Sequence, residues 1–388
     1  MLTLHKALKI IEKNKISLDT KIVPLDSAFN RILAEDAFSD INIPPFDKSA
    51  MDGYAVNSIS TASVREIKGS VHAGETFTDS FEVNECVKIM TGAPIPSSAD
   101  CVVKIEDTEE IPNNKVQINC SLNKGFNICK KAEDLKEGDR VLSKGIKIQG
   151  PEIAALASVG KDTCKVYKMP KAAIISTGNE LIEPGDDLKN GCIRNSNGHM
   201  LSALAKDFGC EVSYLGIAKD TTNDLETKIK KGLESDILLL SGGVSMGDKD
   251  LVFSALKNQG VEILFHGVYI KPGKPLLFGK KGKTLVFGIP GNPVANFTTF
   301  HFFVRPVINQ NMIKVQAYIT HDFTKKKGRS LIVPTRYEYK SNKPKISAFN
   351  IMGSADITGC IGCNAFMLIE GKESAMIKEG ELIEVYLL

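Results

Sequence analysis

Apolar residues at Leu4, Leu8, Ile10 and Ile11, interrupted by Lys6, Lys9, Glu12 and Lys13, predict an amphipathic helix at the start of the chain. Lys21 to Val23 and Arg31 to Ala37 then read as short extended pieces, and Pro44-Pro45 breaks the chain. From about Ile41 to Arg140 the pattern is short β segments separated by Gly, Asn and Pro, with no long helical period. Val87 to Met90, Cys101 to Ile105 and Val116 to Ile118 are the clearest of them. That texture predicts a small β-rich domain. After the Gly138-Asp139 turn, Gly150-Pro151-Glu152 opens a helix running to Ser158, with proline at a natural first position.

From Met169 the period changes. Ala172 to Ser176 reads as a buried strand and Ser196 to Phe208 as a helix, capped by Asn195 or Ser196 and stopped by Gly209. Glu211 to Ile217 is the next strand, Thr222 to Leu233 the next helix, and Asp236 to Leu240 another apolar strand. A helix over Asp248 to Asn258, a strand over Thr284 to Gly288 and a long apolar helix from Pro293 to Ile308 complete the series. Strands alternating with helices predict a doubly wound parallel sheet. From about Asn311 the short strands return, in Ser330 to Val333, Ala365 to Glu370 and Leu382 to Leu388, so a small C-terminal β-barrel is expected. The fold class is therefore α/β multidomain, a doubly wound parallel-sheet domain flanked by β-rich domains.

A chain of 388 residues exceeds what one core organises, in keeping with this division. Its formal charge of +3 provides no dense basic face, so no nucleic-acid partner is expected. The one basic run, Lys325 to Arg329, reads as a solvated turn. Nine cysteines at irregular spacing fit reduced thiols in a cytoplasm better than a disulfide framework. Cys360 and Cys363 form a lone C-x-x-C, read as two buried thiols in a β segment ahead of a zinc or redox site. No run approaches the roughly 20 apolar residues of a membrane helix, and the N-terminus lacks the shape of a signal peptide, so no membrane partner is expected.

In open α/β sheets ligands bind beyond the carboxyl ends of the strands, and that rule selects four loops. Ser176-Thr177-Gly178-Asn179-Glu180-Leu181 places Glu180 at the binding end, a solvated loop carboxylate being the plain alternative. Lys219-Asp220-Thr221 follows the next strand, and Asp220 is either a site carboxylate or a helix cap. The third loop runs from Ser241 through Gly242, Gly243, Val244, Ser245, Met246, Gly247, Asp248 and Lys249 to Asp250. Its glycines let backbone approach a ligand, and a helix start offers unpaired N–H groups to an anion. Asp250 adds a carboxylate on the first turn, where the helix dipole favours it.

The fourth region joins Lys271-Pro272-Gly273-Lys274-Pro275, two lysines on a stiff turn suited to an oxyanion, to Pro290-Gly291-Asn292-Pro293 at a helix start. Three carboxylates in one pocket would raise one another's pKa unless a cation joined them. Oxygen-only ligands beside phosphate favour Mg²⁺, and metal-assisted chemistry at a phosphoanhydride follows. Residue types and order do not name the substrate.

In this order the motifs resemble the molybdopterin molybdenumtransferase (MoeA) family, to which the C-terminal domain of gephyrin is similar. The resemblance rests on Pro44-Pro45-Phe46-Asp47-Lys48-Ser49-Ala50-Met51-Asp52-Gly53-Tyr54-Ala55-Val56 and on Met90-Thr91-Gly92-Ala93-Pro94. The glycine loop, the Lys-Pro-Gly-Lys-Pro turn and the Pro-Gly-Asn-Pro turn then follow, so nearly the whole chain is covered. The resemblance implies four domains: 1–40 with 141–168, an inserted 41–140, a molybdopterin-binding 169–310, and 311–388. It implies an elongated homodimer with its site between subunits. It also implies divalent-metal-dependent cleavage of adenylylated molybdopterin, insertion of molybdate into the dithiolene and release of AMP. The adenylyltransferase of the same pathway and molybdoenzyme acceptors are the implied partners.

Carried over residue by residue, Asp52 and Thr91 face the site from the inserted domain, or else only shape a turn. Glu180, Asp220 and Asp250 hold the metal and the substrate phosphate, and Gly242, Gly243, Ser245 and Gly247 bind substrate. Lys271 and Lys274 hold molybdate or phosphate oxygens, while Pro290 and Pro293 shape the wall. Ser354 and Arg336 complete an oxyanion site from the C-terminal domain, or serve structure alone.

There are departures from the family pattern. Cys129-Lys130-Lys131-Ala132-Glu133-Asp134 stands where the family often has an arginine-rich stretch, and lysine loses the bidentate fork. Ala295 stands where a serine is common, and Asn179 where many members have Asp. Two other readings compete. The pathway's adenylyltransferase is one small domain, and a pterin carrier or scaffold needs no metal-ready carboxylate cluster.

Overall fold

The computed structural model describes residues 1–244, 251–308, 311–356 and 358–388, and the chain falls into two units, Thr20–Tyr167 and Met1–Asp19 with Lys168–Leu388. The first unit ties its ends together, Thr20–Pro24 running antiparallel to Thr163–Tyr167. Helix Gly150–Ser158 starts with Pro151 and the reciprocal Gln149–Glu152 cap, and it buries Leu156 against Leu33, Ile148 and Val166. Between these ends six strands form one sheet in the order Cys101–Lys104, Gly53–Val56, Glu85–Ile89, Val64–Val71, Lys115–Ile118, Thr108–Ile111. Side chains alternate across a strand, so Tyr54 and Val56 enter one core and Ala55 the other.

The second unit is built on a six-stranded sheet in the order Glu211–Ala218, Lys171–Thr177, Ile237–Ser241, Thr284–Ile289, Leu277–Lys281, Glu262–His266. The first four strands are parallel, and the apolar runs of the inner three are buried on both faces. The last two are an antiparallel edge that the apolar pattern did not announce. Polar residues break their runs, and Lys280 and Glu262 pair across them at 3.6 Å. Helices Asn197–Asp207, Thr222–Gly232, Leu251–Asn258 and Pro293–Thr299 connect or follow the strands. The helix expected over 293–308 is α-helical only to Thr299, then turns through π geometry over Phe300–Val304 and 3₁₀ geometry over Arg305–Ile308. Pro306 has no N–H for the carbonyl of Phe302, which forbids a continuous ladder there.

Helix Leu4–Glu12 lies in this unit, although the sequence grouping placed all of 1–40 with 141–168. Its buried stripe, Leu4, Ala7 and Ile11, belongs to the same core as Val268, Phe303 and Val307. At the C-terminal end, Ser330–Lys340 pairs with both Lys343–Ala348 and Ala365–Ile369, which closes a five-stranded barrel through Leu382–Leu387 and Ile313–Ile319. Ala317, Ile319, Val333, Ile346, Met367 and Val385 fill it.

The basic run is not a solvated turn at its two ends. Lys325 is buried with its amine donating to the Glu373 carbonyl at 2.6 Å, and Arg329 donates to the Ile270 carbonyl at 3.1 Å. Cys360 and Cys363 are half-buried in turns rather than in a strand, and burial pushes their thiols up to about 12 and about 11. Thiols so protonated at neutral pH are poor nucleophiles. Among the described residues, no helix is long and apolar enough to cross a membrane.

Candidate functional site

A cavity of about 1080 Å³ opens where the parallel strands end, with Thr177, Ser241 and Pro290 in its walls. The glycine loop begins on its floor. Gly242 and Gly243 have φ of +93° and +64°, and a Cβ on them would lie 2.7 Å from the Thr177 carbonyl oxygen and 2.6 Å from Val252 Cγ2. Only glycine turns the chain that sharply while leaving backbone exposed to a ligand. Ser241 is held from below: the buried Asn296 donates from Nδ2 to its Oγ at 2.7 Å and to the Pro290 carbonyl at 3.3 Å. Asn296 thus fastens the glycine loop to the Pro-Gly-Asn-Pro turn.

A second wall carries the lysine turn. Ile270–Lys271 pairs in parallel with Ser330–Leu331, so the first residues of barrel strand Ser330–Lys340 hold the base of this turn. Lys271, Lys274 and Arg329 all line the cavity. Opposite charges are scarce, Glu180 being the one carboxylate among the described lining residues. Pro290 and Pro293 line it as well, with Ser354 beside them. Asn292 Nδ2 donates to Ser354 Oγ at 2.7 Å, which leaves the serine hydroxyl proton available to an acceptor in the cavity. Ala295 also faces the space, so no hydroxyl projects there.

The third wall is a short parallel ribbon, Leu181–Ile182 with Ile193–Arg194. Glu180 precedes it, and the Glu180 carbonyl accepts the Ile193 N–H at 2.8 Å. Asp220 is not among the lining residues. Its carboxylate accepts the Asn179 N–H at 3.2 Å while its own N–H donates to Asn179 Oδ1 at 3.1 Å, so it braces the loop that carries Glu180. The helix cap at this point is Thr221, not Asp220.

In the Thr20–Tyr167 unit, Asp52 Oδ1 accepts from both the N–H and the hydroxyl of Thr91, each at 2.7 Å. Those two bonds hold the Asp52 carboxyl below its ordinary range. The two sequence motifs of this unit are therefore one physical piece. Asp47 is likewise held low, first by the Lys131 N–H at 2.8 Å and then by the Lys130 ammonium at 2.9 Å. Lysine here serves the neighbouring motif.

Arg336 does not line the cavity. It lies exposed on the barrel with its Nε 2.5 Å from Glu338. Asp250, Ser245 and Gly247 lie outside the described residues, and among the described residues no three His, Cys, Asp or Glu side chains gather as metal ligands. Arg194, Asn292, Asn296 and Arg329 are the site residues that the sequence reading did not single out.

Comparison with known proteins covers the whole chain. Residues 2–160 match the MoeA N-terminal region (domain I and II), 173–310 a probable molybdopterin binding domain, and 316–388 the MoeA C-terminal region (domain IV). A molybdopterin molybdenumtransferase from Staphylococcus epidermidis is 33% identical over 100% of this chain and 95% of its own. Its counterpart from Haemophilus influenzae is 33% identical over 99% and 98%. A crystal structure of the molybdopterin biosynthesis MoeA protein from Pyrococcus horikoshii is 32% identical, with a TM-score of 0.83 over 100% of this chain and 99% of that one.

Proposed function

The chain belongs to the MoeA family, the molybdopterin molybdenumtransferases, and on that premise we propose that it cleaves adenylylated molybdopterin, inserts molybdate into the dithiolene and releases AMP. The observation that carries this reading is the cavity's charge. Lys271 and Lys274 line it with no ion pair to any described residue, Arg329 lies beside them, and a single described carboxylate stands against them. Such a wall draws a tetrahedral dianion and fixes its oxygens. The Ser354 hydroxyl, already accepting from Asn292, donates to one of those oxygens. Asn296 keeps the glycine loop open to the substrate phosphate by holding Ser241.

Glu180 offers a hard divalent cation a carboxylate in the cavity, and Asp220, outside the lining, braces the loop that carries it through Asn179. Glu180 would hold Mg²⁺ there, with Asp220 and Asp250 as the further ligands that the resemblance implies. When bound, the metal neutralises charge on the leaving phosphate. Family membership further supports a homodimer with its site between subunits, a cytoplasmic setting, and transfer from the pathway's adenylyltransferase to molybdoenzyme acceptors. Exposed Ile22, Phe29, Phe38 and Phe46 of the Thr20–Tyr167 unit offer apolar surface for subunit contact.

The test is AMP release from adenylylated molybdopterin, with Mg²⁺ and molybdate added or withheld. The wild type is expected to need both. Lys271→Ala is expected to raise the molybdate concentration for half-maximal release about tenfold, the loss of one charge-assisted contact. A wild type that binds the adenylate but releases no AMP would be a carrier, not a transferase.

A further inference from the structure

The C-x-x-C ahead of barrel strand Ala365–Ile369 has no part in the proposed reaction. Cys360 and Cys363 stand at the two ends of one turn, the Cys363 N–H donating to the Cys360 carbonyl at 3.1 Å. The first and fourth residues of such a turn lie within about 7 Å of one another, Cα to Cα. Gly362, between them, has φ of +77°, the left-handed conformation that lets the chain double back so tightly. Both cysteines are half-buried and Ile361 at the tip is 72% exposed, so the thiols can be reached from solvent.

The turn is fastened to the barrel from its C-terminal side. The Asn364 N–H donates to the Thr335 carbonyl at 3.2 Å, and the Asn364 carbonyl accepts the Leu388 N–H at 3.0 Å. The Asn364 side chain copies a strand partner, its Oδ1 accepting the Tyr337 N–H at 2.6 Å and its Nδ2 donating to the Tyr337 carbonyl at 2.9 Å. These bonds leave the backbone at Cys363 little freedom, so the two cysteines are held side by side before any ligand arrives. A positive charge adjoins them. Arg336 Nη1 lies 3.9 Å from where a Cβ on Gly362 would stand, while its Nε pairs with Glu338.

We propose that Cys360 and Cys363 form a binding site for a soft monovalent cation of the Cu(I) class, with Arg336 offsetting the charge of the complex. Paired thiolates are soft donors, which select Cu(I) over a hard cation such as Mg²⁺. Structural zinc takes four ligands, and among the described residues no third His, Cys, Asp or Glu side chain joins the pair. Asp356, on the same loop, spends its carboxylate on the Thr358 N–H at 3.0 Å, the Thr358 hydroxyl at 2.7 Å and the Met352 N–H at 3.4 Å. Cu(I) is satisfied by two soft ligands. On binding, each thiol releases its proton to solvent and its sulfur takes the cation, with no electron transferred. Cys363 gives up its bond to the Ala365 carbonyl, 3.2 Å away. Thiols that are poor nucleophiles remain good ligands, because the cation itself displaces the proton. Two thiolates and one monovalent cation leave one negative charge in excess, which the neighbouring guanidinium offsets. The site stands apart from the proposed reaction and uses none of its residues.

The experiment is transfer of Cu(I) from a chromophoric chelator to the full chain, without oxygen and with excess reductant so that no disulfide forms. The wild type is expected to take the ion. Cys360→Ser and Cys363→Ser are each expected to lose more than the roughly 100-fold in affinity that removing an outer partner costs. Cys129→Ser and Cys192→Ser, at half-buried cysteines elsewhere in the chain, are expected to keep the wild-type value. Arg336→Ala is expected to weaken binding about tenfold, and Arg336→Lys, which keeps the charge, by less. Native mass spectrometry with fragmentation of the wild-type complex reads the site without any substitution, and the ion is expected on fragments that contain both Cys360 and Cys363. A wild type that takes no Cu(I), a Cys360→Ser/Cys363→Ser double variant that binds as tightly as wild type, or an ion found on fragments lacking both cysteines overturns the site. Unchanged affinity in Arg336→Ala overturns the charge-offsetting role.

Discussion

Gly53→Ala is expected to abolish folding of the Thr20–Tyr167 unit. A Cβ at Gly53 would lie 1.8 Å from the carbonyl oxygen of Val103 and 2.8 Å from its carbon. Both atoms are backbone of the adjoining strand, so no side chain can rotate out of the way. Gly53 pairs with Lys104 on one side and Ile89 on the other, at the start of a strand that has a neighbour on both sides. Relieving the clash means separating strands that bury Tyr54, Ala55 and Val56, at a cost of more than about 4 kcal/mol, a large part of what a domain has. The strand also carries Asp52 into its bonds with Thr91. Limited proteolysis across a thermal ramp reads the effect, with early cleavage inside Thr20–Tyr167 expected for the variant. Gly150→Ala is the control. Its φ is not positive and nothing lies within 4 Å of an added Cβ, so its stability should stay within about 1 kcal/mol of wild type. A Gly53→Ala protein that resists protease as the control does would show that these two strands can part cheaply.

The parts of the site legible in the sequence are those whose local chemistry matches a local geometry. Gly242 and Gly243 mark a backbone that no other residue can follow, and paired prolines and lysines mark a stiff cationic turn. Residues that reach the cavity from elsewhere in the chain give no such local signal. Arg329 arrives because Ser330–Leu331 pairs with Ile270–Lys271, a contact spanning 59 residues between Arg329 and Ile270. Asn296 resembles any helical asparagine until its burial beneath Ser241 is seen. Arg336 was expected at the site on resemblance, but strand alternation turns it out to solvent after the buried Thr335, and it meets Glu338 two residues on along the same face. The parallel core of the sheet was plain from its apolar runs. Its antiparallel edge was not, because edge strands carry charges that hide the period.

Acidification from about pH 6.5 is expected to destabilise the α/β unit through His301, whose pKa is lowered from 6.5 to about 3. Burial is the main cause, and the neighbouring cation of Arg305 adds to it. The ring sits 2% exposed among Phe297, Phe300, Phe208 and Phe366, with centroids 4.6 to 5.7 Å away, and neither nitrogen has a hydrogen-bond partner among the described residues. The unfolded chain therefore binds a proton that the folded one refuses anywhere between the two pKa values. Stability rises with pH through that window, is fully present above about pH 6.5, and drains away as pH falls toward 3. At pH 5 the loss is about 2 kcal/mol, at 1.36 kcal/mol for each pKa unit. His301→Leu keeps an apolar side chain of similar size in the cage and removes the titration. Urea unfolding of wild type and variant at pH 7 and pH 5 isolates the effect, since carboxylates elsewhere titrate alike in both. The variant's stability is expected to fall about 2 kcal/mol less between the two pH values. Equal losses in the two proteins would mean that His301 finds a proton-accepting partner in the folded state. The helix that ends in this cage begins at Pro293 and carries Asn296 beneath Ser241, so wild-type acid loosening should reach both the glycine loop and barrel strand Ala365–Ile369, which supplies Phe366 to the cage.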